Sequence, residues 1–253
     1  MLRLPRCGLC AAAYIQRARR ADNEGTMADI PNLLLAALPR KSYQQLLSGL
    51  VPVTLRFGDV LYEPGKTIRE VYFPSQCLVS LLTVVKGHRA LEVGMVGREG
   101  IVGVPLALGI DISPVRALVQ GAGPTLKMKS ARFHAELHGG GPLQSGVNRY
   151  VHAMMGQISQ TAACNRFHQV EARLARWLLM TRDRMGSDEF RMTHEFLSHM
   201  LGVRRVGVTE AASALQGRKL IEYTRGNIRI LDDRGLEKAS CSCYEANGSL
   251  SGG

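Results

Sequence analysis

The chain has 253 residues, 45% of them apolar and 21% charged, which is enough for two domains with a sizeable core and too apolar for a disordered chain. Its formal net charge is +11 and its pI about 9.7, a balance that favours a polyanionic partner, nucleic acid before an anionic membrane surface. No apolar run approaches the roughly 18 residues of a membrane span. The cysteines Cys7, Cys10, Cys77, Cys164, Cys241 and Cys243 lack the regular spacing of a secreted disulfide framework and read as free thiols of a cytoplasmic protein.

Residues 1–20 hold five arginines and no acid, the composition of a targeting presequence. Met27-Ala28-Asp29 reads equally well as a natural start, so residues 1–26 are expected to be a disordered extension. Cys7 and Cys10 have the spacing of a metal or redox pair, but no second pair accompanies them. Cys241 and Cys243 are too close for ordinary zinc pairing, and no metal site is expected. The leucines at 33, 34, 38, 46, 47 and 50 predict one or two short helices, separated by Pro39. Over residues 51–128, short β-branched runs alternate with turn signals such as Phe57-Gly58-Asp59, Pro64-Gly65-Lys66 and Gly123-Pro124, a texture that predicts a β-sandwich or barrel. Its strongest strands are Val71-Tyr72-Phe73 and the run from Val79 to Val85.

Gly139-Gly140-Gly141-Pro142 breaks the chain before a long helix. Val147, Val151, Met154, Ile158 and Ala162 recur on it at intervals of three and four, a stripe expected to pair with the same helix of a second copy. The alternative is packing on the chain's own β-domain. Val170, Leu174, Trp177 and Leu178 mark a further helix, and residues 186–189 read as a loop.

The densest signal covers residues 193–230. Thr193 can cap a helix whose Phe196, Leu197, Met200 and Leu201 form one apolar face. Gly202 permits a sharp corner, after which a second helix opens with Arg204 and Arg205, where a recognition helix meets bases and phosphates. Arg225-Gly226-Asn227 then signals a turn between two short strands. Residues 193–231 carry six basic side chains (204, 205, 218, 219, 225, 229) against three acids (195, 210, 222). The expected DNA-contacting set is Thr193, His194, Arg204, Arg205, Gly207, Thr209, Arg218, Lys219 and Arg225.

The order of these parts resembles the Crp/Fnr superfamily of bacterial transcription regulators over about residues 30–240. The specific part is Arg173-Leu174-Ala175-Arg176-Trp177-Leu178-Leu179, followed at family spacing by the run from Leu197 to Arg205. The resemblance implies an α+β fold: a cyclic-nucleotide-binding-like sensor β-roll with flanking helices (27–140), a dimerisation helix (141–168), a C-terminal winged helix-turn-helix (169–240) and a tail (241–253). It also implies a homodimer on an inverted-repeat operator in double-stranded DNA, RNA polymerase as a further partner, and control by a small-molecule effector. Arg205 matches the family's reading-helix arginine. Val206 stands where the family has a glutamate that would accept from a cytosine amine, and Glu210 stands at a later basic position.

The sensor segment departs further from the family. Ile101 replaces the glutamate that binds a ribose hydroxyl, and Ser113 takes the place of the phosphate-binding arginine unless a small gap brings in Arg116. Without those partners cyclic nucleotide is not expected, and no other cofactor is implied. Surface salt pairing is the role expected first for Arg98, Glu99 and Arg116; with Gly100 they are also the candidate effector-pocket set, for a different anionic ligand.

Enzyme signatures fail. His194, Glu195 and His199 have the wrong spacing for a zinc protease, Gly65-Lys66-Thr67 lacks the first glycine of a phosphate loop, and no Gly-x-Ser-x-Gly elbow occurs. A cysteine cluster of iron–sulfur spacing is missing near residue 30, and His88 and His134 are isolated. A ligand-binding module that has lost specific DNA binding is the competing expectation, supported by Val206 and Glu210.

Overall fold

The computed structural model describes residues 32–84 and 90–250. The expectations for residues 1–26, with Cys7 and Cys10, and for His88 lie outside the described residues. The N-terminal segment docks through one side chain. Asn32 is fully buried. It caps helix α1 (Leu33–Ala36) by accepting from Leu35 N–H, and its amide donates to Pro74 O and Gly100 O, both at 2.9 Å. Pro39 then separates α1 from α2 (Arg40–Leu47).

Two antiparallel sheets follow. One has the order β1 (Val51–Leu55), β7 (Gly123–Lys129), β3 (Glu70–Pro74). The other runs β2 (Val60–Tyr62), β6 (Arg116–Gly121), β4 (Leu78–Thr83), β5 (Leu91–Val96). Phe73 lies opposite Leu126, and Leu81 opposite both Gly94 and Ala117. Leu55, Val71, Phe73 and Met128 of the first sheet meet Tyr62, Val79, Leu81, Val96 and Val119 of the second in one core, which makes the β-roll. The short helix α3 (Val104–Ala107) and α4 (Ser130–His138) close its ends.

The second sheet is buried on both faces. Because side chains alternate along a strand, Val79 and Leu81 fill the roll, whereas Leu78 and Leu82, with Met95 of β5, belong to a second core shared with the C-terminal domain. The near-continuous apolar run of β4 reflects this double burial.

Helix α5 (Pro142–Phe167) opens on Pro142, where no amide is needed. At about 1.5 Å per residue it is roughly 39 Å long. Its buried face is the strict heptad Leu143, Val147, Tyr150, Met154, Gln157, Thr161 and Cys164. Val147, Tyr150 and Met154 join the roll core, with Val151 packed beside it. Gln157 completes the edge strand β5, its amide accepting from Met95 N–H (2.6 Å) and donating to Met95 O (3.3 Å). The five-residue stripe expected as a dimer seam is therefore divided. Val147, Val151 and Met154 turn toward the chain's own β-domain, and Ile158 and Ala162 are exposed. The stripe straddled two neighbouring faces of one helix.

The C-terminal domain comprises α6 (Val170–Met185), β8 (Glu189–Arg191), α7 (His194–Leu201), α8 (Arg205–Gly217), β9 (Ile221–Thr224), β10 (Asn227–Ile230) and α9 (Asp233–Ala239). The expected loop at 186–189 is shorter than that. Gly186 ends α6 in a left-handed cap (φ 65°), and the chain enters β8 at Glu189 to make a third strand beside β10. Within the tail, Cys243–Leu250 forms α10. No helix among the described residues is long and apolar enough to cross a membrane.

Candidate nucleic-acid interface

Local chemistry fixes the turn between α7 and α8. Thr193 caps α7, its Oγ1 accepting from Phe196 N–H at 3.1 Å. Gly202 stops that helix at φ 63°, a conformation open to glycine at little cost. A Cβ there would also lie 2.6 Å from the Leu91 side chain of β5, so the corner rests directly on the roll. Arg204 is the first residue outside α8 and Arg205 the first within it. Val208, Ala211, Ala212 and Leu215 bury one face of α8 in the shared core, leaving Arg205, Val206, Thr209, Glu210 and Ser213 exposed on the other.

The remaining candidates divide into presenters and supports. His194 is half-buried. Its ring stacks on Tyr223 of the wing (centroids 4.2 Å apart) and its Nδ1 meets Thr209 Oγ1 at 3.0 Å. Burial, then the charge of Arg205, holds its pKa below the usual histidine range. His194 and Thr209 thus lock α7, α8 and the wing together. Gly207 lies on the first turn of α8. Arg218 is tied to Glu171 of α6 at 2.8 Å. Lys219 is exposed with φ 56°. Arg225 (φ 50°) and Gly226 (φ 85°) form the wing turn, whose two positive φ values match the twist of the flanking strands. Among the described residues, Arg204, Arg205, Lys219 and Arg225 make no ion pair, while Arg229 pairs with Glu189 at 3.2 Å. Arg191, exposed on β8 opposite Asn227, adds a basic side chain that reading 186–189 as a loop did not suggest.

The residues of the effector-pocket set each make contacts within the chain. Glu99 pairs with Arg184 of α6 at 2.8 Å, both largely buried. Gly100 lies under the Tyr150 ring, which a Cβ would overlap at 1.9 Å. Arg116 pairs with Glu63 at 2.8 Å, and the Arg98 carbonyl accepts from Leu33 N–H. Each is used in the chain's own contacts, and Glu99 and Gly100 help seat α5 and α6 on the roll.

Residues 172–239 match the family profile of the Crp-like helix-turn-helix domain. Residues 172–239 are thus similar to a Crp-like helix-turn-helix domain, and the chain shares its fold with solved structures of Crp/Fnr regulators. FixK2 from Bradyrhizobium japonicum is 12% identical with a TM-score of 0.66, covering 76% of this chain and 98% of its own. The CRP-family transcriptional regulator TTHB099 from Thermus thermophilus is 20% identical, TM-score 0.63, covering 77% and 99%. The c-di-GMP responsive global regulator CLP of Xanthomonas campestris is 16% identical, TM-score 0.62, covering 77% and 100%. No curated protein sequence matches. Within the matched residues, the exposed start of α8 carries Arg204 and Arg205.

Proposed function

We propose that the chain is a sequence-specific DNA-binding transcription regulator that acts as a dimer and whose β-roll answers to a small-molecule effector. The observation that carries this is the pair Arg204 and Arg205 at the exposed start of α8, flanked by Arg225 at the wing tip and free of intramolecular ion pairs among the described residues. Each guanidinium can address guanine O6 and N7 in the major groove or a phosphate. Effector control is supported by the direct seating of the DNA-binding domain on the roll: Leu91 against Gly202, Phe57 against Phe196 (ring centroids 5.5 Å apart) and Glu99 with Arg184. A ligand that reshapes the roll would shift where α8 sits. RNA polymerase is the partner such a regulator would recruit or exclude.

Selection of bound duplexes from a random library tests the reading. Recovery of an inverted repeat with half-sites about 34 Å apart is the expected result. Arg205→Ala should weaken that site by about 1–3 kcal/mol while changing nonspecific binding little. Unchanged selectivity in the variant would remove Arg205 as a base reader. If only salt-sensitive, sequence-blind binding is recovered, the competing module without specific DNA binding is favoured. Glu210 and Val206 on the exposed face of α8 already suit that outcome.

The dimer seam moves to the outer face of α5. Met155 is 63% exposed and Ile158 38%, with Ala162 beside them. Met155→Asp combined with Ile158→Asp should leave a folded monomer by light scattering, because neither side chain belongs to the roll core. A persistent dimer would place the seam elsewhere.

A further inference from the structure

Four potential ligand atoms converge where the long helix ends. Cys164 lies in the last turn of α5, and His168 follows that helix as its cap, four residues on. Cys241 and Cys243 come from the join between α9 and α10. Their side-chain donor atoms all lie within 4.8 Å of one another. Cys164 Sγ is 3.5 Å from Cys241 Sγ, and Cys243 Sγ is 3.4 Å from His168 Nδ1. The three cysteines are buried and His168 is half-buried. Sulfurs bound to one tetrahedral zinc at about 2.3 Å stand roughly 3.8 Å apart, close to the spacing observed. A disulfide needs about 2.05 Å.

A second feature points the same way. Arg173 and Arg176 of α6 are 7% and 6% exposed, and both lie within electrostatic range of Cys164. Arg173 donates to Asn165 Oδ1 at 2.7 Å and to Leu201 O, whereas Arg176 reaches Thr161 Oγ1 at 3.4 Å. The Nε of Arg173 and the Nε and Nη1 of Arg176 are buried without a partner among the described residues. Glu92 is also within range of Arg176, but among the described residues its two carboxyl oxygens meet the Ser80 hydroxyl and the Trp177 indole and no guanidinium N–H. Buried guanidinium groups call for a compensating negative charge. Three thiolates, one neutral imidazole and a divalent cation together carry a single negative charge, at the place where the arginines lack one. Gln160 Nε2 donates to Cys243 Sγ at 2.9 Å, the kind of hydrogen bond that supports a metal-bound thiolate.

We propose that Cys164, His168, Cys241 and Cys243 form a structural zinc site that clips helix α10 to the junction between α5 and α6. Cys241 and Cys243, too close to form a zinc knuckle by themselves, share the ion with two ligands from a helix end 77 residues away. Binding displaces the three thiol protons to solvent, so affinity rises with pH. The site is fully coordinated by protein, which suits a structural role and leaves no open position for catalysis. It stands whether or not the chain reads DNA.

The test uses the full chain, purified reduced and without chelators. Elemental analysis should find one zinc per chain. Cobalt exchanged into the site should give the visible absorption of a tetrahedral thiolate complex. Cys164→Ser, Cys241→Ser and Cys243→Ser should each abolish stoichiometric zinc. Gln160→Ala should weaken competition against a chromogenic chelator about 10–100-fold. Cys77→Ser and the pair Cys7→Ser with Cys10→Ser should keep the metal. The proposal is overturned if the reduced wild-type chain takes up no zinc from micromolar solution, if zinc persists in the triple serine variant, or if oxidised protein shows a Cys164–Cys241 disulfide while the reduced form binds no cobalt. The cobalt spectrum of the wild-type chain decides the matter even if the serine variants fail to fold.

Discussion

Trp177→Ala is expected to lower the unfolding free energy by about 3–5 kcal/mol, the range for emptying a large aromatic site in a packed core. Trp177 is 2% exposed. It packs with Leu78, Leu82 and Met95 from the outer face of the roll and with Leu174 and Leu178 of its own helix. Its loss therefore opens a cavity between the domains and not merely within one. It also removes the indole N–H that donates to Glu92 Oε1 at 2.9 Å, leaving a buried carboxyl oxygen short of a partner, itself worth about 1–3 kcal/mol. Denaturant titration followed by circular dichroism checks the result, since Trp177 is the only tryptophan and its fluorescence disappears with it. Trp177→Phe restores most of the volume without the donor and should recover part of the loss. A cost below about 1 kcal/mol for alanine would mean that α6 does not rest on the sheet in solution. The C-terminal domain would then be free of the roll, and the proposed coupling between effector and reading helix would lose its physical link.

What the sequence revealed and what it hid follow from how local each signal is. The cap at Thr193, the corner at Gly202 and the turn at Arg225 and Gly226 are decided within a few residues, so the helix-turn-helix and its wing could be read directly. Strand β8 escaped because Glu189-Phe190-Arg191 is three residues long with a single buried side chain, and only its pairing with β10 makes it a strand. An apolar stripe states that a face is buried but not against what. On α5 the inward heptad passes through Tyr150, Gln157 and Thr161, polar or mixed residues that a search for apolar periodicity passes over. Glu99 could be read as a ligand group or as one half of a salt pair; the structure has the pair, but its partner Arg184 lies 85 residues away and could not be named from the sequence. The cysteine and histidine cluster was invisible for the same reason, its halves being joined only when α10 folds back on α5.

Glu92→Gln should stabilise the protein at pH 8 by up to about 3 kcal/mol and leave it close to wild type near pH 4.5. Glu92 is 6% exposed, and burial is the dominant influence on it, pushing its pKa up to about 7 from 4.5 against the opposing pull of Ser80, Trp177, Arg176 and Arg184. The folded state thus holds this proton more tightly than the unfolded chain. The group's contribution to stability is complete below about pH 4.5 and is lost as the pH rises through about 7, and at about 1.36 kcal/mol per unit the whole displacement is worth roughly 3 kcal/mol. Glutamine keeps the geometry without the titration. Its oxygen can accept from Trp177, its amide can donate to Ser80 Oγ, and the Ser80 hydroxyl already reaches Gln120 Oε1. Thermal unfolding of both proteins between pH 5 and 8.5 should therefore show curves that diverge as the pH rises, with the glutamine variant the flatter. The reverse order at pH 8 would mean that the carboxylate is ionised and serves as the counter-charge for Arg176 and Arg184. The buried guanidinium of Arg176 would then have its anion on the roll side, and the case for a negatively charged zinc site on its other side would rest on the ligand geometry alone.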